Sequence, residues 1–313
     1  MKTLLHKAAT RGHADHGWLE SYQSFSFADY YNPERIQFGT LRVLNDDRVD
    51  GGKGFGSHPH DNMEIISIPL EGSLVHEDNM GNRRVVGKGE VQVMSTGKGV
   101  FHSEYNNSPD QPARFLQIWV FPNRLNVTPR YDQIKRDVGK EHNQLQSIIS
   151  PEQPALPPTL RPAETPAEPP ALPPAEPPAL PPAGNPLPRF LPGTWIYQDA
   201  WFQIGHFDKD RKLTYQRHQP GNGIYAFVIS GSFQFDRDGA NGNGANGSNG
   251  NAADGSNENA ADSSNGNAAD GYGLILNTRD GLGIDDQDAI TLTALDNDSE
   301  ILLIEVPMQN KIQ

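Results

Sequence analysis

Two pairs of residues, His58-x-His60 and His102-x-Glu104, place three imidazoles and one carboxylate at a spacing of two. Successive side chains on a β-strand alternate faces, so both members of each pair point the same way. Both pairs lie in stretches that read as strand, and two neighbouring strands then offer four ligands to one point. Three imidazoles and a carboxylate suit a divalent transition metal; a five- or six-coordinate geometry leaves positions open for a substrate or dioxygen. The chain contains no cysteine, which excludes disulfides, thiolate ligands and a cysteine nucleophile. Any metal chemistry falls on histidine and carboxylate, a donor set compatible with Fe, Mn, Co, Ni, Cu and Zn.

Glu64 is a second claimant for the carboxylate position. On a straight strand it lies about 13 Å beyond His60 at ~3.3 Å per residue, so Glu104 is the expected ligand. Glu64 is expected to orient a histidine or to edge the core. His206 and His218 stand alone, with no His-x-His pair, and read as surface or packed histidines, as do His13 and His16. Asn45-Asp46-Asp47 and Asp78-Asn79 read as turns closed by side-chain hydrogen bonds. The aromatic run from Tyr22 to Tyr31 either lines a pocket mouth or packs beneath a barrel.

The elements that must position these residues are short strands: Ile36–Leu44, Met63–Leu70, Gly72–His76, Glu90–Met94 and Arg114–Val120, separated by Gly, Asn and Asp. Helical periodicity is nearly absent. Short strands at roughly ten-residue spacing favour an all-β sandwich or barrel, and two such blocks suggest a duplicated barrel. The first block is residues 1–150, carrying the metal ligands. Residues 151–192 form a proline-rich linker with the tandem octads Ala167–Pro174 and Ala175–Pro182, a composition that favours polyproline II. Residues 193–313 form the second block, with a low-complexity Asn/Gly/Ala/Asp insertion at 239–271 that has almost nothing to bury. The β-rich stretch Ile224–Asp236 precedes this tract and Tyr272–Asn277 follows it, so the insertion is expected to replace a hairpin turn.

The net charge of −13 argues against direct binding to a nucleic-acid backbone, which needs clustered Lys and Arg. No apolar run approaches the length of a membrane span, and Met1–Gly17 lacks the apolar core of a signal peptide. A cytoplasmic protein that binds neither nucleic acid nor membrane is the expectation.

Several segments in order resemble one family: Ser24–Tyr31 (SFSFADYY), Leu41–Asp47 (LRVLNDD), Phe55–His60 (FGSHPH), Asp78–Asn82 (DNMGN) and Gly97–Glu104 (GKGVFHSE). Together they are similar to the pirins, within the cupin superfamily, and specifically to bacterial quercetin dioxygenase-like members. Ser95 stands where the general cupin motif has proline, a departure that points to this branch. Trp201–Asp208 and Leu276–Ile284 resemble the second cupin of the same proteins. The resemblance implies two cupin barrels (double-stranded β-helix, or jelly-roll), the first holding one metal, usually Fe(II), through His58, His60, His102 and Glu104, the second metal-free. It implies a metal-dependent dioxygenase cleaving a flavonol such as quercetin, with a small aromatic substrate and dioxygen as partners and Glu104 as the group that accepts the substrate's hydroxyl proton. The alternative reading is a metal-binding regulator that acts through a protein partner without turnover.

Overall fold

The computed structural model describes residues 3–152, 193–236 and 273–312. Apart from Pro151 and Glu152, the linker expected at 151–192 lies outside the described residues, and so does the insertion expected at 239–271. The first half of the chain forms β1 (Thr3–His6), β2 (Gly12–Asp15), β3 (Leu19–Gln23), β4 (Leu41–Val49), β5 (Gly54–His60), β6 (Glu64–Glu71) and β7 (Ser73–Asp78). There follow β8 (Arg83–Gly87), β9 (Glu90–Ser95), β10 (Val100–Asn106), β11 (Ala113–Val120), β12 (Arg130–Lys135) and β13 (Gln146–Pro151). The second half supplies β14 (Thr194–Ile196), β15 (Trp201–Phe207), β16 (Lys212–Gln216), β17 (Asn222–Ser230), β18 (Ser232–Phe235) and β19 (Leu274–Asn277). It ends with β20 (Gly281–Ile284), β21 (Ala289–Ala294) and β22 (Ser299–Pro307).

Among the described residues these strands make two pairs of sheets. A seven-stranded sheet in the order β12-β9-β6-β11-β4-β3-β2 faces the four-stranded sheet β5-β10-β7-β8, and β1-β20-β17-β22-β15-β13-β14 faces β16-β21-β18-β19. The two strand orders repeat each other, with β11 and β22 each central, β5 matched by β16 and β10 by β21. The chain is thus an all-β pair of jelly-roll barrels of the cupin type.

Two strands from the first half of the chain pair in the second barrel's sheet. β1 runs antiparallel to β20, Thr3 opposite Ile284, and β13 lies between β15 and β14. Each covers an edge that would otherwise present unpaired backbone groups. Such an exchange between distant segments leaves no local mark in the sequence.

Strand alternation explains how one chain builds a polar barrel beside an apolar one. On β11, Leu116, Ile118 and Val120 face outward from the first barrel; on β22, Leu302, Ile304 and Val306 face outward from the second. These six side chains belong to one continuous core, joined by Leu44, Ile66, Phe202 and Tyr225, that fuses the two large sheets back to back. Burial of each large aliphatic side chain stabilises the pair by about 1.5–3 kcal/mol. The inward row of the second barrel is Ile301 and Leu303 with Ile290 and Leu292, an apolar filling. The inward row of the first is different, and it carries the site.

The hairpin across the low-complexity tract forms in register: β18 pairs antiparallel with β19, Ser232 opposite Asn277 and Phe235 opposite Leu274.

Candidate metal centre

β5 and β10 are antiparallel neighbours, with His60 opposite Val100 and His102 opposite His58. Alternation then turns His58, His60 and His102 to one side, and their rings converge with centroids 4.8, 4.4 and 5.0 Å apart. One nitrogen from each lies within 4.8 Å of the others, so the three could hold a metal ion. The register slips after His102, Glu104 falling opposite Phe55, a bulge of the kind that re-aims a side chain. Glu104 consequently groups with His76 and His102 in a second set that shares His102 with the first.

His76 is a member of this cluster that the sequence motifs above do not include. A signal for it is nevertheless present: His76-x-Asp78 has the same two-residue spacing as the other pairs and places both on one face of β7. Asp78 accepts from His76 Nε2 at 3.0 Å, and His76 Nδ1 is buried without a partner. Burial opposes ionisation of Asp78, but hydrogen bonds from His76 and Asn82 outweigh it and hold the carboxyl below its ordinary range. Asp78 also caps the turn that follows by accepting from the Met80 and Asn82 amides, in keeping with its composition.

The donor set fits a metal on three counts. His58 Nδ1 donates to the Gly56 carbonyl at 2.7 Å, which fixes the tautomer and leaves Nε2 free to ligate. His102 is 2% exposed, and both of its ring nitrogens are buried without a hydrogen-bond partner. Burial, then the neighbouring His102 and His58, lowers His60 to about 4; burial, then His58 and His76, lowers His102 to about 3. Both imidazoles are therefore neutral near pH 7, the form that binds metal.

Glu104 is held by the opposite sheet. Its Oε2 accepts from Gln117 Nε2 at 2.7 Å; its Oε1 accepts from Ser67 Oγ at 3.1 Å and Gln92 Nε2 at 3.4 Å. Those three residues belong to a polar row running straight across six strands: Gln23 opposite Asn45, Asn45 opposite Gln117, Gln117 opposite Ser67, Ser67 opposite Gln92, Gln92 opposite Gln133. On the central strand of the second barrel the inward positions, Ile301 and Leu303, are apolar instead. Buried polar groups are tolerated where they pair, and Ser67, Gln92 and Gln117 of this row pair with the carboxylate.

Asn45, Asp46 and Asp47, expected as a turn, lie within β4 and are buried. Their composition mimics a turn because the strand is polar on both faces. Asn45 and Asp47 point into the barrel, while Asp46 points the other way and pairs with Arg11 and Arg279. Burial, with the Asp46 and Glu104 charges adding to it, pushes Asp47 up to about 7. Glu64 belongs to neither ligand set. Rather than orienting a histidine, it accepts from Ser95 Oγ at 2.6 Å, and burial pushes it up to about 7 against the bonds from Ser95 and the Tyr197 backbone.

A cavity of about 540 Å³ opens onto His58 and His60. Leu19, Phe27, Phe55 and Trp119 give it apolar walls, with Trp119 4.9 Å from the His60 ring. Phe27 and Tyr30 from the aromatic run line it, whereas Phe25 packs in the core. His13 and His16, expected merely at the surface, stand at its rim, His13 stacked on Tyr22. In the second barrel β16 carries no histidine and the inward residues of β21 are Ile290 and Leu292. His218 stacks on Trp201 and bonds to Glu305, and His206 stacks on His142. Among the described residues neither belongs to a ligand set.

The family model described as Pirin matches residues 5–120, and that described as Quercetinase C-terminal cupin domain matches residues 192–270. Quercetin 2,3-dioxygenase of Escherichia coli K12 is 49% identical over 150 residues, covering 47% of this chain and 63% of that protein. A pirin-like protein of Caulobacter vibrioides is 42% identical over 149 residues, covering 47% and 64%. The chain thus spans less than two thirds of the length of these curated relatives. The crystal structure of a bacterial pirin from Escherichia coli in complex with nickel(II) superposes with a TM-score of 0.68 at 31% identity, covering 98% of this chain and 99% of that one.

Proposed function

The chain belongs to the pirin family, and on that premise we propose that it is a metal-dependent dioxygenase that opens the heterocycle of a flavonol such as quercetin. The observation that carries the reading is His102, buried with both nitrogens unpaired between His58, His60 and His76, behind the two histidines that line a cavity large enough for a three-ring aromatic ligand. His58, His60 and His102 hold the metal, with Glu104 the fourth ligand or a carboxylate poised beside it. When bound, a divalent transition metal, iron by family habit, supplies Lewis acidity toward the substrate's 3-hydroxyl and one-electron chemistry toward dioxygen.

The remaining work falls to the chain's own side chains. Glu104 accepts the proton of the 3-hydroxyl, and Gln117, Ser67 and Gln92 hold the carboxylate in place while it does so. Trp119, Phe27 and Phe55 orient the flat ring system and exclude water from the reacting face. The regulatory reading is not favoured, since the Escherichia coli relative carries the name of a dioxygenase and a pocket opening on the histidines serves a small molecule rather than a protein surface.

Anaerobic loading with Fe(II) followed by oxygen-uptake measurements with quercetin tests the proposal. Uptake that depends on the flavonol supports it, and none from fully loaded protein refutes it. Glu104→Gln should lower turnover at least ~100-fold while metal content falls less than about twofold; equal loss of both would reduce Glu104 to a ligand.

A further inference from the structure

The wall of the cavity contributed by β3 and β4 carries an unexplained set of polar atoms. Gln23, Asn45 and Asp47 are 3%, 2% and 5% exposed, and all three line the cavity. Gln23 Oε1, Asn45 Oδ1 and Asp47 Oδ1 are buried with no hydrogen-bond partner. On the adjoining wall Trp119 Nε1, a donor, is unpaired in the same way. A buried polar group left unpaired costs about 1–3 kcal/mol, so four around one cavity point to a ligand that pairs them. Their neighbours do not do so: Gln23 Nε2 donates to Ser21 Oγ at 3.1 Å, and Ser21 in turn bonds to Asp47, leaving the oxygens named above open.

We propose that Gln23, Asn45 and Asp47 form a hydroxyl-reading wall that selects polyhydroxylated aromatic substrates, with the Trp119 indole N–H donating to a ring oxygen. The chemistry of the set decides the class. Three oxygens that call for donors match ring hydroxyls, and one N–H that calls for an acceptor matches a carbonyl or ether oxygen. The apolar faces of Leu19, Phe27 and Phe55 require the scaffold between them to be flat and unsaturated. Asn45 and Gln23 stand in the same cross-strand row as Gln117, which holds Glu104, so hydroxyls bound at this wall lie level with the carboxylate. The wall thereby sets how deep the ring enters and which edge meets the histidines. It acts on recognition and positioning and touches no reacting bond.

This inference rests on the flavonol reading above, and the test separates the two. Full-length Fe(II)-loaded protein is compared with Asn45→Leu and Gln23→Met on two ligands: 3-hydroxyflavone, which has only the reacting hydroxyl, and quercetin, which adds hydroxyls on both outer rings. Dissociation constants come from tryptophan fluorescence titration under argon and kcat/KM from oxygen uptake. Each hydroxyl bond is worth about three- to tenfold in affinity. The expected result is quercetin bound at least tenfold more tightly than 3-hydroxyflavone by the unsubstituted protein, with the ratio contracting to about threefold or less in either variant. Gln23→Met keeps an unbranched side chain of similar length and decides the matter should Asn45→Leu fail to fold. A quercetin preference that persists in a folded variant, or affinity for both ligands falling equally, overturns the proposal while leaving the dioxygenase reading intact. Contraction of the binding ratio in protein that consumes no oxygen upholds the wall and sinks the dioxygenase. If neither flavonol binds, both readings are overturned.

Discussion

Glu64 gives a prediction that needs no knowledge of substrate. Its carboxyl is 1% exposed, accepts from Ser95 Oγ, and is pushed by burial from 4.5 up to about 7. A carboxyl whose folded pKa is raised binds its proton more tightly in the native state, so stability is highest below the unfolded value and falls as pH rises toward the folded one. The window is pH 4.5 to 7, and the full shift corresponds to about 3 kcal/mol at ~1.36 kcal/mol per unit. Between pH 5 and pH 8 the loss comes to about 2.5 kcal/mol. Glutamine has the same shape, still accepts from Ser95, and does not titrate. The gap between Glu64→Gln and the unsubstituted protein, from urea unfolding in the presence of chelator, should therefore widen in the variant's favour by about 2.5 kcal/mol from pH 5 to pH 8. Asp47, raised to about 7, slopes in the same direction but is common to both proteins and cancels in the comparison. Parallel pH profiles, with the gap constant to within about 0.5 kcal/mol, would refute the assignment of a buried carboxyl held protonated at this seam.

Three further outcomes are expected. Arg136 donates to Glu141 at 2.8 and 2.6 Å and to Glu300 at 2.8 Å, and Glu141 is fully buried, so Arg136→Met should cost about 3–5 kcal/mol in denaturant unfolding by stranding that charge. In chelator, His102→Leu should be at least as stable as the unsubstituted protein because it removes two buried unpaired nitrogens; adding metal at about 100 times its Kd should stabilise only the unsubstituted protein, by about 2.7 kcal/mol. Because Phe235 and Leu274 are already paired, replacing residues 237–272 by Asn-Gly should leave the thermal midpoint unchanged or raised by a few degrees, as read by calorimetry.

The sequence by itself picks out the three converging histidines because their signal is local. His-x-His on a strand fixes both rings on one face whatever the rest of the chain does, and the same rule, applied to His76 and Asp78, yields the third imidazole contact of His102. Flanking β-rich runs likewise announce the hairpin that closes across residues 237–272. Tertiary structure alone decides the company Glu104 keeps. Gln23, Asn45, Ser67, Gln92, Gln117 and Gln133 follow no period, and only the register of six strands, several of them distant in sequence, lines them up opposite one carboxylate. Asn45-Asp46-Asp47 misleads for the same reason, since the partners of Asp46, Arg11 and Arg279, and the cavity faced by Asn45 and Asp47 are assembled from distant segments. A strand's own residues determine which face each side chain takes; what stands across from it depends on pairing between segments that carry no mark of one another.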